Sequence, residues 1–154
     1  MAEDQDLATL AREIVDTNLY MTLGTADAAG RPWASPVYYA FDAYREFFWV
    51  SFPDATHSRN LVERPEVGIV IFDSTVPINT GRGVYMTAVA EELTGPDREP
   101  GIEIFSARSV ASGGEPWTLA DVEDPEPLRF YRATASEHSV IRPMMQRTPV
   151  TIEA

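Results

Sequence analysis

The apolar positions change period along the chain, and each change marks an element. Over residues 5–16, Leu7, Leu10, Ala11, Ile14 and Val15 recur at helical spacing, which predicts an amphipathic helix with Arg12, Glu13 and Asp16 on its wet face. Asp4 or Asp6 is placed to cap it. From residue 19 strand-like segments take over. Residues 19–26 and 33–42 are predicted strands joined by Asp27-Ala-Ala-Gly-Arg-Pro, where Gly30 suits a positive φ. Pro36 cannot donate to a ladder, so the second strand belongs at an edge or carries a bulge. After the turn Asp42-Ala-Tyr-Arg, a third strand over 46–52 completes a meander.

A helix is predicted next, with Asp54 as its N-cap and Arg64-Pro65 ending it near Glu63. Val67–Phe72 is almost wholly apolar and reads as a strand buried on both faces. Pro77, Asn79, Gly81 and Gly83 make 73–83 a loop. From Val84 to Leu93, Val84, Met86, Ala88 and Ala90 alternate with Tyr85, Thr87, Val89 and Glu91, a half-buried strand. Pro96–Val110 reads as a helix with Ile102, Ile104, Phe105 and Val110 turned to the core. In the loop 111–127, Thr118 opens a helical turn with Asp121 in the capping-box position. Residues 128–135 and 137–141 are predicted to pair as a hairpin, and 149–153 adds a short terminal strand. The expectation is a mainly β protein of one domain, residues 1–154. It has six or seven mostly antiparallel strands in a barrel with flanking helices, since the helices do not alternate with the strands.

Composition narrows the partners. The net charge of −12 repels nucleic acid and anionic membranes. All 12 basic residues are Arg, so any anion site is built from guanidinium, imidazole, hydroxyl and backbone N–H groups. With no Cys, thiolate chemistry and Cys-ligated metals are excluded, and two distant His argue against a zinc site. The N-terminus lacks the pattern of a signal peptide and no apolar run would span a bilayer, so a cytoplasmic location is expected.

The richest chemistry lies in Phe47–Leu61, an apolar strand that ends in Ser51, a Pro-Asp turn, and a helix start carrying His57, Ser58 and Arg59. Hydroxyls, an imidazole and a planar guanidinium beside free helix N–H groups suit a phosphate. The same residues also suit an ordinary capped helix with Arg59 solvated, and the residues alone leave both readings open. His138, between Glu137 and Ser139, reads as an exposed bystander. The aromatics crowded between Trp33 and Phe52 suit strand core plus a dimer surface, or a wall for a flat heterocycle. No carboxylate pair, nucleophile elbow or nucleotide-binding glycine motif is present.

The ordered set of segments from about residue 15 to 95 resembles the pyridoxamine 5′-phosphate oxidase-like, flavin-binding split β-barrel superfamily, in particular its small bacterial members. The matching segments are Arg31-Pro-Trp-Ala-Ser-Pro-Val-Tyr-Tyr, Phe48-Trp-Val-Ser-Phe-Pro-Asp-Ala-Thr-His-Ser-Arg-Asn-Leu, Arg64-Pro-Glu-Val-Gly-Ile-Val-Ile-Phe and Gly83-Val-Tyr-Met-Thr-Ala-Val-Ala-Glu-Glu-Leu. The resemblance implies a homodimer that binds FMN at its interface and acts as an oxidoreductase on a small molecule. A deazaflavin in the same groove, or a non-catalytic flavin- or haem-binding module, are the alternatives. By position, Ser35 and Val37 would lie along the flavin ring or its ribityl chain. Val50 and Ser51 would stand at the strand end. Thr56, His57, Ser58 and Arg59 would form the phosphate loop, and Arg82 and Gly83 would reach the cofactor across the dimer. Ser35 stands where the true oxidase has Arg, and His57 where Lys is common, which implies weaker or more pH-dependent phosphate binding. The oxidase's own substrate-phosphate residues have no clear counterpart, and no catalytic side chain is implied.

Overall fold

A computed structural model describes residues 2–153. The elements are α1 (Ala2–Thr17), β1 (Tyr20–Ala26), β2 (Pro32–Tyr38), β3 (Ala40–Asp42), β4 (Glu46–Ser51), α2 (Thr56–Glu63), β5 (Glu66–Phe72), β6 (Gly83–Glu92), α3 (Glu99–Ala111), β7 (Arg129–Ile141) and β8 (Thr148–Val150). The eight strands form one antiparallel sheet in the order β2-β1-β5-β6-β7-β4-β3, with β8 paired to β7.

The sheet rolls up because its two edges are consecutive pieces of one stretch. Residues 32–38 pair with β1 and residues 40–42 pair with β4. Tyr39 makes the break. It is fully buried, donates its N–H to the Leu19 carbonyl at 3.1 Å and its hydroxyl to the Val15 carbonyl at 2.6 Å. The predicted strand 33–42 is therefore two strands, and Pro36 sits on an edge strand, where its missing donor costs nothing. Beyond the break, β2 and β4 approach across an unpaired seam, and α2 packs on β1 and β2 beside it.

Leu7, Ala11, Ile14 and Val15 of α1 cover the inward alternates of the strands, among them Met21, Leu23, Ile69, Ile71, Val84 and Met86. α3 packs Ile102 and Phe105 against Phe48 and Phe130 in a second cluster. The approach requires Gly101, because a Cβ there would lie 2.7 Å from the Phe48 ring.

Several expectations are corrected. The mainly β, mostly antiparallel fold is as expected, and within its eight strands 33–42 divides in two. Residues 128–141 are not a hairpin but one strand, β7. Ser136 is accommodated as a bulge opposite Thr87 and Ala88, bonding the Thr87 hydroxyl at 3.0 Å and carbonyl at 3.2 Å. β5 is buried on one face only: Val67, Ile69 and Ile71 are inside, whereas Gly68 and Phe72 are exposed. Val110 is also exposed, lying off the Ile102–Phe105–Ser109 stripe that α3 turns inward. α1 begins at Ala2, so Asp6 lies inside the helix and does not cap it; the Asp4 side chain lies outside the described residues. The capping box at Thr118 and Asp121 is formed as predicted. Among the described residues, no helix is long and apolar enough to cross a membrane.

Candidate functional site

α2 starts without a cap of its own. Ala55, not Asp54, is the N-cap residue. No side chain caps the backbone amides of the first turn, and that turn holds no acidic residue. The first ladder bond runs from the Arg59 N–H to the Ala55 carbonyl at 3.0 Å, so the amides of Thr56, His57 and Ser58 precede the ladder. Asp54 stays exposed.

Side chains gather at this end of the helix. Ser51, the last residue of β4, bonds His57 through Oγ and Nε2 at 2.8 Å, and both are buried. Burial lowers the His57 pKa, so the ring is held neutral. Ser58 is 1% exposed, and its Oγ has no hydrogen-bond partner among the described residues. It faces the Tyr131 phenol, whose pKa burial pushes up and the Ser58 hydroxyl draws partly back, but the two do not meet in ordinary hydrogen-bond geometry. Trp49 stacks on Tyr131 at 5.7 Å between centroids and forms the floor. Arg59 is exposed and makes no ion pair or side-chain hydrogen bond among the described residues.

Two bonds set the direction of α2. Asn60 donates to Thr25 Oγ1 at 3.0 Å, and Arg64 donates to the Ala28 carbonyl at 3.0 Å. The helix thus runs alongside β1 in the same sense, and its N-terminus falls toward Leu23, the partner of Ser35. Ser35 is half-buried there, and Val37, two residues on, is buried. The fold sets Ser35 and Val37 of β2 across the seam from Val50 and Ser51 of β4, with Thr56, His57, Ser58 and Arg59 on α2 beside it; Val37 belongs to the larger core cluster, whereas Val50 packs with the α3 cluster. Arg82 and Gly83 are not part of this group. Gly83 pairs with Ile141 and Ser51 with Arg129, at opposite ends of the 13-residue β7. Arg82 faces Glu13 of α1 at 3.5 Å.

A phosphate-sized anion fits the chemistry of the α2 start: open amides, a buried hydroxyl without a partner, and a free guanidinium. Sequence reasoning missed the open cap at Ala55 and the Trp49–Tyr131 floor. No local signal marks Tyr131, because its approach to Ser58 is made by sheet closure.

His138 is half-buried rather than exposed. Its Nε2–H donates to the Tyr44 carbonyl at 2.7 Å, and burial lowers its pKa against that bond. No group of metal-ligating side chains occurs among the described residues. An open groove of about 1530 Å³ runs over β1, β5, β6 and β7, and none of the anticipated site residues lines it. The strand glycines Gly24 and Gly68 were its only trace in the sequence, since glycine inside a strand often marks a close approach.

The sequence matches the family model described as Pyridoxamine 5′-phosphate oxidase over residues 7–142. No curated protein matches it. The structure is similar to that of a heme binding protein from Mycobacterium smegmatis, with 22% identity and a TM-score of 0.69, over 94% of this chain and 57% of that one. It is similar to HutZ, the heme storage protein from Vibrio cholerae, with 19% identity and a TM-score of 0.67, over 86% of this chain and 91% of that one. It is also similar to a FAD-binding protein from Mesorhizobium loti, with 20% identity and a TM-score of 0.66, over 86% and 92%. This chain spans a little over half the length of the Mycobacterium smegmatis protein. At these identities the likeness is one of fold.

Proposed function

The chain belongs to the pyridoxamine 5′-phosphate oxidase family, and from that premise we propose that it binds FMN and acts as a flavin-dependent oxidoreductase on a small molecule. One observation carries the reading: the α2 N-terminus is left open, with the buried Ser58 hydroxyl unpartnered beside it. The phosphate would sit on the amides of Thr56, His57 and Ser58, with Ser58 Oγ as a further donor and Arg59 as the compensating charge. Ser35, Val37 and Val50 would flank the ring or ribityl chain along the seam. Bound flavin supplies the hydride or electron transfer; the protein's part is to anchor the phosphate, orient the ring and keep water from it.

A homodimer completes this reading. Arg82 and Gly83 stand apart from Ser51 in one chain, and the neighbouring loop exposes Ile78 at 92% and Val76 at 37%, apolar surface suited to a second copy. Ile78→Asp would then yield a monomer by sedimentation.

Titration of FMN by quenching of its fluorescence tests the proposal, with wild type beside Arg59→Ala. Removal of a charge-assisted contact should weaken FMN by roughly tenfold or more. The same titration with haemin and with a deazaflavin separates the competing readings. Binding of either one without FMN would overturn the flavin assignment, and equal FMN affinity in the variant would misplace the phosphate.

A further inference from the structure

The two histidines of this chain are tied down in chemically different ways. His138 Nε2 meets the Tyr44 carbonyl at 2.7 Å. A carbonyl only accepts, so Nε2 carries the proton and the neutral ring is the Nε2–H tautomer. His57 Nε2 meets the Ser51 hydroxyl at 2.8 Å, and a hydroxyl can donate or accept. Burial keeps the His57 ring neutral, so a single ring proton has to be placed.

Two assignments are open to that bond. If Nε2–H donates, the Ser51 proton finds no other acceptor among the described residues, on a side chain that is 8% exposed. If the hydroxyl donates to Nε2, the Ser51 proton is satisfied and the ring proton sits on Nδ1. Nδ1 has no hydrogen-bond partner among the described residues, yet it is not one of their fully buried unpartnered polar atoms. It therefore reaches the surface of the site, where a ligand can meet it. Covalent geometry fixes the place. Nδ1 is the ring nitrogen nearer the main chain, and with Nε2 turned to β4 it stays beside the α2 start, where the amides of Thr56, His57 and Ser58 precede the ladder. The cost of a buried donor left unmet favours the second assignment.

We propose that Ser51 is a positioning residue, which holds His57 as the Nδ1–H tautomer and so presents an N–H donor, rather than a lone pair, to the phosphate at the α2 start. The identity of that phosphate rests on the flavin reading; the tautomer rests on the Ser51–His57 geometry alone. Which ring nitrogen carries the proton is set by the bond that the other one makes. The free side chain prefers the proton on Nε2. Without Ser51 the Nδ1 lone pair would face an anion that only accepts, and would repel it.

Imidazole nitrogen NMR of the full chain at about pH 8, where both rings are neutral, tests the proposal without any cofactor. His57 should show its protonated nitrogen at Nδ1, and His138, the internal control, at Nε2. In Ser51→Ala the His57 signals should exchange. FMN should then bind about fivefold or more weakly, while riboflavin, which lacks the phosphate, binds as in wild type. Ser51→Thr keeps a hydroxyl on a residue that suits a strand, and should restore both tautomer and affinity. Inorganic phosphate should move the Nδ1 signal of wild type and spare His138. A wild-type His57 protonated at Nε2, or a tautomer unchanged in Ser51→Ala, would overturn the assignment whatever FMN does. Full FMN affinity in Ser51→Ala with the tautomer reversed would overturn the positioning role. An Nδ1 signal that responds to phosphate in a wild type that binds no FMN would count against the flavin reading and support this one.

Discussion

Two helical segments of this chain begin in opposite ways. At Leu119 the first turn is closed from within. The Thr118 side chain takes the Asp121 amide, and the Asp121 carboxylate takes the Thr118 amide at 2.7 Å. At Thr56 the means are present and unused: Asp54 and Thr56 flank the start, yet neither caps it, and Ser58 beside it is buried without a partner. A chain able to close one start leaves the other open, and that is the start where the proposed phosphate would sit. Orphan amides are satisfied by side chains, water or ligand, and a start lacking the first is available to the last.

The contrast breaks most visibly under joint loss of the donors. Ser58→Ala with Arg59→Ala should weaken FMN by on the order of a hundredfold in calorimetric titration. Thermal stability should hold or rise slightly, because Ser58→Ala removes a buried group that has no partner.

Acid should separate stability from affinity. Burial holds the pKa of both His57 and His138 below the ordinary 6.5. Above 6.5 both folded and unfolded chains carry neutral rings, and the native state keeps its full stability. As pH falls below that value the unfolded chain takes up protons that the native rings resist. Urea unfolding should therefore show stability falling by up to about 1.4 kcal/mol per pH unit for each histidine. FMN affinity should move the other way, since a phosphate favours protonated His57. His57→Gln should remove that rise in affinity and leave the share of the stability slope due to His138.

The closed start gives a smaller signal. Thr118→Ala should cost about 1 kcal/mol in urea unfolding and leave FMN affinity unchanged. Any loss of affinity would mean that the two starts are not independent.

Much of this was readable along the chain because it is local. The alternation of Val84–Leu93, the Thr118–Asp121 box and the edge role of Pro36 each depend on residues close in sequence, and each appears in the fold. What failed depends on partners elsewhere. Ser136-Glu137 looks like a turn until β6 provides the bulge partner Thr87. The apolar run of β5 looks doubly buried because composition cannot tell a covered face from a bare one. Asp54 has the chemistry of a cap, but the chain passes it before the helix begins. The site was legible as a segment, whereas its floor of Trp49 and Tyr131 exists only once β4 lies against β7.

Whether the open start of α2 holds the cofactor phosphate is tested directly by Ala55→Asp, which installs the missing cap. Ala55 already has the extended backbone of an N-cap residue, with φ −60° and ψ 147°. Its carboxylate would take the free amides and repel a phosphate. FMN titration and urea unfolding of this one variant should show stability raised by about 1 kcal/mol and FMN affinity lowered by roughly tenfold or more. A protein made more stable with FMN affinity unchanged would contradict the assignment.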